Sequence, residues 1–166
     1  QGCTGCNSCF KTRDERCIID DEVNLWIQKM KEAQGIIFGS PVHFSNITAE
    51  MKAFLDRATY VGSANKSLYR YKVGVGITAV RRAGGLPAYH QLNNYIGYSQ
   101  MIMPTSNYWN IIFGRAPGEV LQDEEGIQIM RILGKNMAWL LKLVEFGEGK
   151  VNKPDDERKI YTHFIR

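Results

Sequence analysis

All four cysteines of this chain fall within its first seventeen residues, at Cys3, Cys6, Cys9 and Cys17. Their spacing, C-x2-C-x2-C-x7-C, lets three thiols wrap around one compact object while the fourth joins after a short excursion. Disulfides usually close longer loops across a fold, so thiols packed this tightly favour a metal. Bacterial ferredoxin motifs begin with the same C-x2-C-x2-C, whereas structural zinc sites more often use two separated C-x2-C pairs. The spacing favours an iron–sulfur cluster, with structural zinc and metal-free thiols as the alternatives.

The last cysteine departs from the ferredoxin motif, because Cys17 precedes Ile18 rather than a proline. In two-cluster ferredoxins the fourth cysteine of the run binds the other cluster. Here the chain contains no further cysteines, so we expect all four to bind one [4Fe–4S] cluster. Gly2, Gly5 and Ser8 are small, and they would let backbone N–H groups turn toward the cluster sulfurs.

Two loops are candidates for a second cofactor. SPVHFSN (residues 40–46) and RRAGG (81–85) each follow a short apolar segment. In open α/β sheets ligands bind at such strand ends, and a flavin ring needs hydrogen-bond donors at its edge and apolar cover on its faces. Either arginine could stabilise negative charge at the flavin N1 and O2 edge or attract an acidic protein. An ordinary turn capped by Asn46 or Thr48, beside solvated arginines, is the alternative.

Hydrophobic periodicity predicts alternating helices and strands, which indicates an α/β domain with a parallel sheet. The second helix should bury Ile47, Met51, Phe54, Leu55 and Ala58 and leave Glu50, Lys52, Asp56 and Arg57 toward solvent. The predicted elements are a helix over 23–33, a fully buried strand over 35–40, a helix over 47–58, a strand over 72–80, a helix over 87–99, a short strand over 101–103, a loop over 105–118 and a long helix over 127–144.

Bulk composition narrows the function classes. The 166 residues suit one ordinary domain, with 44% hydrophobic and 23% charged residues. A net charge of +4 without a run of five basic residues argues against nucleic acid, and no apolar run approaches the roughly 20 residues that span a bilayer. No secretory signal is visible, and an oxygen-sensitive cluster favours a reducing cytoplasm. Because the sequence begins Gln-Gly-Cys without Met, we expect further residues upstream of Gln1.

Several segments together resemble the iron–sulfur flavoprotein family, which belongs to the flavodoxin-like, NAD(P)H-dependent FMN reductase superfamily. They are the cysteine motif, GIIFGSPVHFSNITAEMKAFLDRA, TAVRRAGG, SNYWN and GKNMAWLL, which extend from about Cys3 to Leu143. The resemblance implies a flavodoxin-like doubly wound parallel sheet of order 2-1-3-4-5, bound FMN, one [4Fe–4S] cluster, and homodimers paired into tetramers. The strands seen here would be the third, fourth and fifth, so the sheet lacks its N-terminal strands in this chain.

The resemblance also assigns residues to the cofactors. It places the four cysteines on the cluster, and Ser40, Pro41, Val42, His43, Phe44, Asn46, Ala79, Val80, Arg81, Arg82, Gly84 and Gly85 on the loops that contact the FMN ring. The phosphate-binding loop of such proteins follows the first strand, which we expect upstream of Gln1. We predict three parts of the chain: a cysteine-rich iron–sulfur segment (1–19), a flavodoxin-like FMN-binding domain (20–146) and an extended tail (147–166).

The favoured function is electron transfer between the cluster and FMN, with ferredoxin or a similar small redox protein as the partner. Flavin converts between one- and two-electron chemistry, and the protein orients and tunes both centres. The first alternative is an NAD(P)H-dependent FMN or quinone reductase whose cysteines hold zinc or no metal. The second is a zinc-stabilised interaction module without redox activity.

Overall fold

The structure is a computed structural model that describes residues 1–157, 159–162 and 164. Its described elements follow the predicted alternation closely. They are α1 (Ser8–Thr12), α2 (Glu22–Glu32), β1 (Gly35–Pro41), α3 (Ala49–Ala64), β2 (Val73–Val80), α4 (Gly85–Tyr98), β3 (Ile111–Phe113), a 3-10 turn (Glu119–Gln122) and α5 (Glu124–Gly147).

The three strands form one parallel sheet in the order β1-β2-β3. Gly35 pairs with Val73 at one end of the β1–β2 ladder and Pro41 with Ala79 at the other. All three strands therefore end at the same edge, where the loops 40–46 and 79–85 follow β1 and β2. The order agrees with the third, fourth and fifth strands of a flavodoxin-like sheet.

Helices cover both faces of this sheet, as the doubly wound prediction requires. On one face α2, α3 and α4 bury a core around the β1 side chains Ile36 and Phe38. On the other face α5 places Leu133 and Met137 against Val73 and Val75 of β2. The large side chains in these cores contribute about 1.5–3 kcal/mol each through burial, so helices anchor both faces of the sheet.

The predicted third strand is in a different place. Residues 101–103 form only an isolated bridge, between Ile102 and Val73. The strand β3 lies instead inside the predicted loop 105–118. Asn110 holds it there, because its backbone oxygen accepts from the Thr78 N–H at 3.0 Å and its side-chain nitrogen donates to the Gly76 oxygen at 3.1 Å. Residues 101–103 and 111–113 are both apolar, so tertiary hydrogen bonds decide which of the two runs becomes the strand.

Two burial predictions are wrong. β1 is not buried on both sides, because Ile37 is 59% exposed on the face that α5 leaves partly open. The prediction that Arg57 faces solvent is also wrong, because Arg57 is 1% exposed and lines the cysteine pocket. A guanidinium tolerates such burial only when it is paired and hydrogen-bonded, and Asp21 supplies the pairing here.

The predicted tail begins where α5 ends, and no helix or strand is assigned to its described residues after Gly147. Residues 158, 163, 165 and 166 of that prediction lie outside the described residues. Within the described part of the chain, no helix combines the length and apolarity needed to cross a membrane.

Candidate cofactor sites

The four cysteines surround one pocket beside α3. Cys9 is 7% exposed on the short helix α1, Cys17 is half-buried, and Cys3 and Cys6 are exposed. Left-handed residues at Asn7 and Arg13 flank α1 and turn the chain sharply at both ends. The other residues lining the pocket are Thr4, Asn7, Ile18, Ile19, Arg57, Tyr60 and Val61.

The thiols face a shared space without converging on one point. Among the described residues, no group of three His, Cys, Asp or Glu side chains is close enough to bind a single ion. A cubane cluster is larger than one ion, and its ligand sulfurs stand apart around its corners. The donor set, four cysteines around a mostly apolar pocket, therefore fits such a cluster.

The thiols sit in unequal environments. Hydrogen bonds with Ser8 lower the pKa of the Cys6 thiol below its usual range; the sulfur donates to the Ser8 hydroxyl at 3.4 Å. Burial raises the pKa of the Cys9 thiol. Metal ligation requires thiolates, so Cys6 is more easily ionised than Cys9, whose buried thiolate needs a positive metal beside it.

Asn24 fixes the backbone of Cys17 from the inner face of α2. Its side-chain oxygen accepts from the Cys17 N–H at 2.7 Å, while its nitrogen donates to the Cys17 oxygen at 3.0 Å and to the Ile19 oxygen at 3.1 Å. Asn24 is not among the site residues predicted from the sequence. Its position among Val23 and Ile27, which point inward, was the available signal, because a buried polar side chain needs partners.

Arg57 joins the cysteine segment to α2 and α3. Its two terminal nitrogens donate to the Asp21 carboxylate at 2.6 and 2.7 Å, and one also donates to the Ile19 oxygen at 3.0 Å. The other terminal nitrogen donates to the Gln1 oxygen at 3.3 Å. Asp21 also caps α2 by accepting from the Val23 N–H at 3.1 Å. The pair therefore fixes the chain on both sides of the cysteine segment.

The first predicted flavin loop is a tight turn after β1. His43 and Asn46 exchange backbone hydrogen bonds of 2.9 and 3.0 Å, and the two residues between them, Phe44 and Ser45, have positive φ values of 48° and 61°. Phe44 is fully exposed. At the base of the loop, the buried Ser40 hydroxyl accepts from the Thr48 N–H at 3.1 Å. Thr48 is the N-cap of α3, which settles the choice between Asn46 and Thr48.

The second predicted flavin loop lies against the first. Gly84 adopts φ +86°, and a Cβ there would stand 2.7 Å from the Cα of Ser45. The loop leads into the N-terminus of α4, whose first N–H groups have no partner within the helix. Arg81 and Arg82 are exposed, whereas Val80 is buried and offers only its backbone.

A cavity of about 320 Å³ opens beside this second loop. Arg82, Gly84, Leu86, Tyr108 and Trp109 are among the residues that line it, and the last two rings meet edge to face at 4.4 Å. Its volume lies within the range of small-molecule sites. The combination of close-approaching glycine, backbone donors and aromatic walls fits the edge and faces of a flavin ring. The structure thus brings the two predicted loops together.

Helix α3 connects the two sites. The first flavin loop precedes its N-cap at Thr48, and Arg57 and Tyr60 face the cysteine pocket two to three turns later. Nine residues of helix, from Thr48 to Arg57, correspond to about 14 Å. The cysteine pocket and the loops therefore flank one rigid element.

Comparison with known proteins identifies the family. A family model described as NADPH-dependent FMN reductase matches residues 4–115. The chain is also 36% identical over 150 residues to an iron–sulfur flavoprotein of Methanocaldococcus jannaschii, which covers 86% of this chain and 76% of that protein. The chain belongs to the iron–sulfur flavoproteins of the NADPH-dependent FMN reductase family.

Other matches agree with this placement. An iron–sulfur flavoprotein of Methanosarcina thermophila is 28% identical over 150 residues, which cover 87% of this chain and 76% of that protein. Among solved structures, a flavodoxin, WrbA-like protein from Agrobacterium tumefaciens superposes with a TM-score of 0.51 at 19% identity, over 71% of this chain and 79% of that one. The superposition shows the flavodoxin-like fold alone.

Membership in the iron–sulfur flavoproteins confirms two predictions. The protein is a flavin-dependent oxidoreductase, and FMN is the flavin of its family. When bound, FMN supplies reversible one- and two-electron chemistry. The protein residues must then bind the ring, orient it and limit its contact with water.

Proposed function

We propose that this protein transfers electrons between a [4Fe–4S] cluster bound by Cys3, Cys6, Cys9 and Cys17 and an FMN whose ring lies at the loops 40–46 and 79–85. The observation that carries the proposal is the arrangement of all four cysteines around one pocket. This pocket is lined by α3, the same helix that begins after the first flavin loop. A reductase that transfers electrons through its flavin alone has no redox use for such a donor set.

The uneven exposure of the cysteines supports exchange with another protein. Cys3 and Cys6 lie at the surface, whereas Cys9 is buried toward α3. An electron donor can therefore approach the outer edge of the site while the inner edge faces the protein. A ferredoxin or similar small one-electron carrier is the partner that suits this arrangement.

On the flavin side, backbone groups are proposed to bind the ring. The N–H groups of the loops and of the α4 N-terminus can donate to the ring oxygens and N5. The candidate contacts remain Ser40, Pro41, Val42, His43, Phe44, Asn46, Ala79, Val80, Arg81, Arg82, Gly84 and Gly85. Exposed Arg81 and Arg82 can stabilise negative charge at the ring edge, and Tyr108 and Trp109 can exclude water from one side.

The proposal also includes the oligomeric state and the cellular location of the protein. A homodimer or tetramer would cover apolar side chains that the single chain exposes on α5, such as Trp139 and Phe146, which are 64% and 69% exposed. A reducing cytoplasm would protect a cluster whose outer cysteines reach the surface.

An anaerobic ultraviolet–visible spectrum with iron, sulfide and FMN assays tests the proposal. We expect about four iron and four sulfide per chain, with one FMN. Dithionite should bleach the cluster absorption, and the addition of oxidised ferredoxin should restore it. Flavin with zinc, or with no metal, would instead support the NAD(P)H-dependent reductase. A preparation without flavin would contradict both redox functions.

A further inference from the structure

Arg57 carries one nitrogen that its structural role does not use. The side chain has no solvent exposure, and its two terminal nitrogens bind Asp21, Ile19 and Gln1 as described above. The third nitrogen, Nε, is buried and has no hydrogen-bond partner among the described residues. Buried N–H groups are nearly always satisfied in native proteins, so this one requires an acceptor.

The place where the acceptor belongs is the cysteine pocket. Arg57 lines that pocket together with Cys9 and Cys17. Hydrogen bonds to Asp21 are the main cause of the raised pKa of Arg57, and the Cys17 sulfur adds to it. Arg57 and Cys17 border the same pocket, and the Asp21 carboxylate, bound to both terminal nitrogens, fixes the plane of the guanidinium.

We propose that Arg57 donates a hydrogen bond from Nε–H to the Cys17 sulfur of the loaded cluster and thereby raises the cluster's reduction potential. The inference deepens the proposed function and rests on it. One-electron reduction adds a negative charge to the cluster, and donors to its sulfurs favour the more negative state. Arg57 is thus a tuning residue for the cluster, in addition to its structural role.

The higher reduction potential could come from the positive charge of the guanidinium or from the Nε–H hydrogen bond, and the Asp21 carboxylate separates the two. It pairs with both terminal nitrogens, so the guanidinium charge is largely neutralised as seen from the pocket. The directed Nε–H then contributes most of the effect. Lysine keeps a positive charge at this position but has no N–H fixed in the plane of a carboxylate-bound guanidinium, so Arg57→Lys distinguishes hydrogen bond from charge.

The experiment is an anaerobic redox titration of the full chain, followed by EPR of the reduced cluster. Arg57→Lys and Arg57→Gln are compared with wild type after iron and sulfide contents have been matched. The control is Arg16→Gln, which removes a half-exposed charge next to Cys17 that does not line the pocket. We expect both Arg57 variants to shift the one-electron equilibrium about tenfold toward the oxidised cluster, a potential lower by about 59 mV, and the control to match wild type.

Wild-type potential in Arg57→Lys, or an equal shift in Arg16→Gln, would overturn the inference. If neither Arg57 variant loads a cluster, pulsed EPR of wild type labelled with [15N]arginine decides. A 15N coupling to the reduced cluster supports the hydrogen bond, and its absence overturns it. A wild-type protein without iron and sulfide would instead overturn the proposed function, so the two failures are distinguishable.

Discussion

In the cysteine segment, side chains from neighbouring helices hold the backbone in place. Asn24 and Arg57 are both buried, and they donate to the backbone oxygens of Cys17 and Ile19. In the flavin loops, by contrast, the conformation of the backbone itself determines the geometry. Phe44, Ser45 and Gly84 have positive φ values, and the loops touch through a glycine. One site is positioned by polar side chains beneath it, and the other by local backbone conformation.

The difference teaches where each site should be sensitive to mutation. Side-chain ligands cannot be replaced without loss of the group they bind, whereas a loop that binds through its backbone tolerates most side-chain changes. Such a loop fails when its conformation or its close approach to a neighbour is blocked. The four predictions below test this comparison.

The largest effect is expected at the buried ligand. Cys9→Ser should remove nearly all iron and sulfide from the protein, because a hydroxyl does not replace a thiolate, while FMN remains bound. Metal analysis and flavin fluorescence after acid release measure the two contents. Lys11→Ala, at an exposed position of the same helix, is the control and should keep both. A Cys9→Ser protein with wild-type iron would contradict the four-cysteine site.

A backbone change should affect the flavin selectively. Gly84→Ala places a Cβ 2.7 Å from the Ser45 Cα at φ +86°, and strain of about 1–3 kcal/mol is expected. FMN binding should weaken by about tenfold, with the iron content unchanged, as measured by fluorescence titration of flavin-free protein. The control is Gly97→Ala, near the end of the helix α4 that follows Gly84. A Cβ there meets open space, so this variant should bind FMN normally. Equal affinity in the two variants would show that the loops do not need this contact.

The sequence allowed prediction of the elements that local patterns determine. Helical periodicity placed α2 and α5, the cysteine spacing located the pocket, and β1 and β2 were recognised from apolar runs. It could not place β3, since two short apolar runs, 101–103 and 111–113, follow β2 in turn. The pairing of 111–113 with β2, beside the contacts of Asn110, selects the second run. Local pattern determines an element only when tertiary pairing does not compete with it.

The missed site residues share one physical cause. Asn24 and Arg57 are polar residues on amphipathic helices, where a polar residue usually faces solvent. Neither set of partners lies within the helix that carries the residue: Asn24 binds Cys17 and Ile19 just before its helix, and Asp21 is separated from Arg57 by 36 positions. Helical periodicity describes one helix at a time, so it does not identify these partners.

Removing the Asn24 side chain should destabilise the cysteine segment rather than the flavin loops. Asn24→Ala leaves the Cys17 N–H and oxygen without those partners, and an unsatisfied buried group costs about 1–3 kcal/mol. Urea unfolding should show this loss, and cluster reconstitution should slow, while FMN affinity stays near wild type. Lys29→Ala, at an exposed position of the same helix, serves as the control. A loss of FMN affinity equal to the loss of stability would mean that the two sites are not independently positioned.

The smallest expected effect is a change with pH. The Arg57 guanidinium holds the pKa of Asp21 below its usual range. Such a carboxylate stabilises the fold above the unfolded-state pKa of about 3.9, and the stabilisation is lost as the pH falls through the lower folded-state pKa. Asp21→Asn keeps an N-cap side chain on α2 but removes this charge. The difference in urea unfolding midpoint between wild type and Asp21→Asn should therefore be constant near neutral pH and should shrink below about pH 4.

The measurement uses protein prepared without iron, so that acid release of the metal does not contribute. Asp20→Asn is the matched control. The Asp20 side chain is 92% exposed, and it forms an exposed ion pair with Arg16 at 3.5 Å. Surface pairs of this kind contribute little, so this variant should follow wild type at every pH. A gap for Asp21→Asn that does not change with pH would show that the pair acts through shape alone. The cysteine segment would then be held by geometry, as the flavin loops are, and the contrast between the two regions would disappear.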